Sequence, residues 1–257
     1  MAAADGTGAE DISALALGYL RERFLGLPAG RRIGPRLGGA VIWVMGARVL
    51  GVPGPLDIEL VLGDAEWARV MAGGSAAQLQ WRDPEVVPPV RVRVRAAAWL
   101  TARLAEPEGL WLHRHGRLAQ DPAGAGSAAR ATADRAFTGD IARHVAREYR
   151  MLREGFETAD QALEPLGRAV LLGRAVGAAL RLPLLARAEP WPPPAWLVWQ
   201  VARVVPEGEA LVRLAAGAAA GLRVDPAAWA SLRRLLDDLL DAAGHGETVV
   251  RPYGTNA

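Results

Sequence analysis

At 257 residues the chain is long enough for one large domain or two modest ones, each able to bury a hydrophobic core. It has no cysteine, which excludes disulfides, thiolate zinc sites and cysteine nucleophiles, so any metal would need oxygen or histidine ligands. A net charge of +2 with 23% charged residues gives no bulk argument for nucleic acid or an acidic membrane, although every basic residue is arginine. Residues 1–10 lack a basic n-region and an apolar core, which argues against export. The longest apolar stretch, 166–186, is interrupted by Arg168, Arg174 and Arg181, too charged for a membrane span. A soluble cytoplasmic protein with no membrane partner and no strong nucleic-acid signal is expected.

Residues 9–25 carry Ile12, Leu15, Leu17, Leu20 and Phe24 at helical spacing, and the Gly/Pro run 26–30 ends the pattern. Residues 40–45 form a short apolar run that suits a buried strand entering a turn at Gly46. In 56–62 the apolar positions alternate with Asp57 and Glu59, placing both carboxylates on one face of a strand. A short helix over 65–71 follows, closed by Gly73-Gly74. Val90-Arg91-Val92-Arg93-Val94-Arg95 is a strict period-two strand, valines on one face and arginines on the other. Residues 96–104 read as helix, and 110–122 as a short helix or a hairpin with a glycine turn. From residue 128 the pattern is helical: about 129–156, 158–186, 194–205, 207–222 and 226–243. Asp225-Pro226 is a strong helix start, a capping side chain before a proline in the first turn. The glycine-rich stretch 124–127 marks a boundary between an α/β domain, 1–125, and a helical domain, 126–250, with 251–257 a flexible tail.

Gly46-Ala47-Arg48-Val49-Leu50-Gly51, then Asp57-Ile58-Glu59, resembles the hallmark of the nucleotidyltransferase superfamily related to DNA polymerase β. That hallmark is a Gly-Ser or Gly-Gly pair, about ten residues, and two acids flanking one apolar residue; nine residues separate the pair from Asp57. Weaker similarity to bacterial nucleotidyltransferase-like proteins with helical C-terminal halves runs over about 10–205. It rests on Arg23 to Pro28, Val49-Leu50-Gly51, His115-Gly116-Arg117 with Asp121-Pro122, and Trp196-Leu197-Val198-Trp199, where Ala195 stands in place of a frequent lysine.

The resemblance implies an α+β fold, a mixed sheet with flanking helices followed by an all-helical C-terminal subdomain. It implies a nucleoside triphosphate held at Gly46, Ala47 and Arg48, with Asp57 and Glu59 as catalytic residues and magnesium ligands. It further implies transfer of a nucleoside monophosphate to a small-molecule acceptor, assisted by a third carboxylate from a later strand. The physical logic is that a glycine turn brings backbone N–H groups to phosphates while alternate acids on the next strand hold the metal.

This chain departs from that pattern in two places. Ala47 lacks the family's hydroxyl, and the strand matched to the third acid, 90–95, offers only arginines. Arg91 or Arg93 would then replace the metal's charge and bind phosphate directly, guanidinium being well shaped for that, or Asp83 or Glu85 would supply a displaced acid. A catalytically degenerate nucleotide-binding or regulatory protein is therefore the alternative, and an antitoxin-like interaction module a third. Period two alone would equally describe solvated acids on an edge strand and a solvated arginine face. His113 and His115 read as surface or capping groups, and Trp191, Trp196 and Trp199 as helix packing.

Overall fold

The computed structural model describes residues 11–72, 80–220 and 223–250; Gly73-Gly74 and the tail 251–257 lie outside them. The chain forms two compact units, Met1–Asp134 and Arg135–Ala257. The fold is α+β: a five-stranded mixed sheet and, among the described residues, twelve α-helices.

In the first unit α1 (Ile12–Glu22) is capped by Asp11, whose side chain accepts from the N–H groups of Ser13 and Ala14. The Gly/Pro run does not end helical structure as expected. Pro28 sits at the first turn of α2 (Pro28–Ile33), where its missing N–H costs nothing. Strands β1 (Val41–Met45) and β2 (Leu56–Leu62) are joined by a 3₁₀ turn, and α3 (Asp64–Met71) follows. Next come β3 (Gln80–Asp83), β4 (Val90–Ala96), α4 (Ala97–Leu104), α5 (Pro107–His115), β5 (Arg117–Gln120) and α6 (Ala125–Gly139), within which the unit boundary falls. The segment 110–122 is thus a helix and then a strand. Asp121 caps α6, accepting from the backbone N–H of Gly126 and from Ser127 at 2.8–3.0 Å.

The strand order is β3-β4-β2-β1-β5, with β2 and β4 parallel and the other neighbours antiparallel. Ile42, Val44, Leu56, Ile58, Leu60, Leu62, Val90, Val92 and Val94 share one face and pack with Ala16, Tyr19 and Leu20 of α1, with Phe24, with Ile33 of α2 and with Val70 of α3. Each such side chain contributes roughly 1.5–3 kcal/mol by leaving water. On the other face α4 packs against β4 and β2, and α5 against β1. β2 therefore lies at the centre of the sheet with both faces covered, and all seven of its residues are buried. Solvated acids on an edge strand are excluded.

In the second unit the helix expected over 129–156 is two, broken where Asp140 (φ −99°, ψ 8°) leaves helical geometry after Gly139. α7 (Ile141–Thr158) presents Val145, Leu152 and Phe156 to the core, and α8 starts at Pro165 rather than near 158 (Pro165–Ala186). Proline at the first helical position sets that start. Gly155 lets α7 and α8 touch closely: a Cβ there would lie 2.5 Å from the Ala175 Cβ. Among the described residues α8 is the one helix long and apolar enough to cross a membrane, and half of its apolar window is buried within the fold. α9 (Pro194–Val204), α10 (Gly208–Ala218), α11 (Pro226–Ala242) and the short α12 (Gly246–Val250) complete the unit. Trp191 is buried under the guanidinium groups of Arg147 and Arg181, and Trp196 meets Trp199 edge to face.

Asp225 accepts from the N–H groups of Ala227 and Ala228 at 2.9 and 3.1 Å, capping α11 as its sequence requires. Asp225→Ala should lower stability by about 1 kcal/mol, because two helix-end donors lose their acceptor. Urea unfolding measures this, and an unchanged midpoint would show the cap to be energetically idle.

Candidate functional site

The turn after β1 is shaped by Gly46, which adopts φ 90° and ψ −165°, a conformation open almost only to glycine. A Cβ at this position would lie 2.5 Å from Asp57 Oδ2. The glycine and the aspartate of the motif are therefore in contact, because Met45 pairs with Asp57 in the antiparallel register of β1 and β2. Gly51 (φ 74°) closes the turn, its N–H bonded to the Arg48 carbonyl while the Val52 N–H bonds to Ala47. Ala47 is buried, and a Cβ on Gly54 would press on its methyl group at 2.7 Å. The Ala47 methyl group therefore faces Gly54. Arg48 follows it in the 3₁₀ turn and is only partly buried.

On the face bearing the acids, the parallel register sets Asp57 beside Arg91 and Glu59 beside Arg93. Arg91 Nη2 donates to Asp57 Oδ2 at 2.7 Å, and Nε lies 2.6 Å from Oδ1, off the line of a hydrogen bond. One aligned bond and close charge thus hold this pair. Glu59, 2% exposed, has the Arg95 Nε at 3.7 Å, within ion-pair reach but outside hydrogen-bonding distance. Burial pushes the Glu59 carboxyl up to about 7 against the pull of Arg95, Arg93 and Arg103. A charge taken out of water is costly even with cations nearby.

Glu59, Arg93 and Arg95 line a cavity of about 500 Å³ with Trp99, Arg103 and His113, in which Arg95 lies 4.9 Å over the Trp99 ring. Arg103 is engaged by Glu106. The Arg93 side chain lies beside Glu59, acts on its charge and lines the cavity. His113 is not a surface group: it is fully buried on α5, its ring set edge-on to Trp43 at 5.1 Å. Its Nδ1 lies 2.8 Å from the Gly109 carbonyl, which can only accept, so Nδ1 carries the proton. Burial lowers its pKa and keeps the ring neutral, leaving Nε2 as an acceptor. The signal for His113 was present in sequence only as its place among Leu110, Trp111 and Leu112, an apolar run that buries the helix.

Asp83 cannot complete an acidic triad with Asp57 and Glu59. It pairs with Val90, whose side belongs to the opposite face, and there it accepts from the Tyr19 hydroxyl and pairs with Arg23 Nε at 2.8 Å. Glu85 is exposed and also meets Arg23. The site therefore gathers Asp57 and Arg91 beside the Gly46 turn, Glu59 and Arg93 two residues further along the strands, and Arg95 two residues beyond them, opposite Val61. A divalent cation fits this donor set poorly, since each acid already has a guanidinium as its neighbour and a metal would have to displace both.

No protein-family model matches the chain, and no curated protein matches it significantly. The cavity offers an anion the guanidinium groups of Arg93, Arg95 and Arg103 that line it.

Proposed function

We propose that this chain is a nucleotidyltransferase-like protein that binds a nucleoside triphosphate through arginine and does not transfer it. The observation that carries the reading is the β2–β4 register, with Arg91 bound to Asp57 and Arg93 beside Glu59. Where the resembling enzymes bring a third carboxylate and two metal ions to the acids, this chain brings guanidinium groups, one of them bound to Asp57, which can meet phosphate without a metal. The Gly46 turn against Asp57 is the feature of the motif that supports common ancestry of the site.

Calorimetry with ATP and CTP tests the reading. The dissociation constant should stay within about twofold when magnesium is exchanged for EDTA, and Arg93→Ala should weaken binding by about tenfold, or about 1.4 kcal/mol, as for one lost charge-assisted contact. Binding that requires magnesium, or an Asp57-dependent transfer of labelled nucleoside monophosphate to any acceptor, would replace this reading with that of a magnesium-dependent transferase.

A further inference from the structure

The net charge of the chain is small, but one face of the sheet is cationic. In the antiparallel register of β3 and β4, Arg82 lies directly opposite Arg91 and Gln80 opposite Arg93, so these residues share the face that carries Asp57 and Glu59. Arg91, Arg93 and Arg95 follow at every second position of β4, about 6.6 Å apart. The row runs into the cavity, which Arg93 and Arg95 line with Arg103 and Trp99. The two acids of this face lie beneath the row: the side chains of Asp57 and Glu59 are 10% and 3% exposed, against 34% for Arg91 and 27% for Arg95. Arg82, on the edge strand, is exposed. Along β3 and β4 a ligand arriving from solvent therefore meets guanidinium before carboxylate. Two arginines directly opposite across a strand pair repel each other, and a nucleotide seated in the cavity leaves Arg82 unused, since Arg82 does not line it.

We propose that this face binds single-stranded nucleic acid, the cavity taking the terminal nucleotide and Arg91 and Arg82 the phosphates that follow it. The inference rests on the reading that these arginines meet phosphate, and it names a longer ligand for them. Guanidinium groups in a straight row suit a chain of phosphates, and Arg91, though bound to Asp57, keeps about a third of its side chain exposed. At the inner end Arg95 lies 4.9 Å over the Trp99 ring, and aromatic rings and guanidinium planes are the surfaces on which unpaired bases stack. Arg103 is taken there by the exposed Glu106, which a ligand phosphate must displace. A cavity of about 500 Å³ has the volume of a small-molecule site, so it admits the end of one nucleic-acid strand and excludes a duplex.

Fluorescence anisotropy on the full chain, with a labelled single-stranded RNA of about ten nucleotides, tests this beside calorimetry with ATP. The RNA should bind at least tenfold more tightly than ATP, and at least tenfold more tightly than a duplex of the same sequence. Each neutralised phosphate contributes about −0.7 to the slope of log affinity against log salt, so four contacts predict a slope of about −3. Arg82→Gln should weaken RNA binding at least threefold and flatten that slope by about 0.7. It should leave ATP binding within twofold, because Arg82 lies outside the cavity lining. If the variant fails to give a cooperative thermal transition, the wild-type comparisons decide alone. RNA bound no more tightly than ATP, or a duplex bound as tightly as the single-stranded RNA, would overturn this inference and leave the phosphate reading intact. RNA binding without ATP binding would support the inference and overturn the nucleoside triphosphate reading alone, and absence of binding by either would overturn both.

Discussion

Gly46→Ala should destabilise the sheet unit by roughly 3 kcal/mol. Two penalties combine. A backbone at φ 90° and ψ −165° is a glycine conformation, and forcing another residue into it costs on the order of 1–3 kcal/mol. The new Cβ would also lie 2.5 Å from Asp57 Oδ2, a carboxylate that cannot swing away freely because Arg91 holds it. Scanning calorimetry should show a midpoint lower by roughly 6–12 °C. Gly51→Ala is the internal comparison. Its φ of 74° is also positive but a Cβ there meets nothing within 4 Å, so it should cost only about 1 kcal/mol. If the two variants lose equal stability, the contact between Gly46 and Asp57 has no energetic weight and the motif is held together by backbone geometry alone.

Glu59→Gln should raise stability by about 3 kcal/mol at pH 8 and by almost nothing at pH 4. The Glu59 carboxyl is raised from 4.5 to about 7, chiefly by burial. Between those values the folded chain keeps a proton that the unfolded chain releases, so stability is fully present below about 4.5 and declines as pH rises to about 7. At roughly 1.4 kcal/mol per pH unit the loss reaches about 3 kcal/mol, and a neutral glutamine escapes it. His113, lowered by burial, acts in the opposite sense at lower pH but is common to both proteins and cancels in the difference. Denaturant unfolding of wild type and variant from pH 4 to pH 8 measures the divergence. A constant gap across that range would mean that Glu59 stays ionised throughout, stabilised by its arginines more than burial opposes it.

The strands of the site were legible in sequence because their chemistry is local. The alternation of valine with arginine in β4 and the apolar positions 56, 58, 60 and 62 of β2 follow from the period of an extended chain, and the Asp225 cap from two adjacent residues. β3 was missed because Gln80-Trp81-Arg82-Asp83 is short and mostly polar and becomes a strand only by pairing with the edge of β4. Helix boundaries at Asp140 and Pro165 moved for local reasons that helical periodicity does not register.

Sequence by itself determined which residues could carry chemistry: a glycine turn, two acids on one face of a strand, and arginines on one face of another. Tertiary structure decided how they are partnered. Sheet order made β2 central and buried both acids, and the parallel register, a long-range property of β2 and β4, set Arg91 on Asp57. The packing of α4 and α5 then brought Trp99, Arg103 and His113 to Glu59 and Arg93 around one cavity. The physical reason is that side-chain period is fixed within a strand, whereas burial and charge pairing depend on which distant strand or helix comes to lie alongside it.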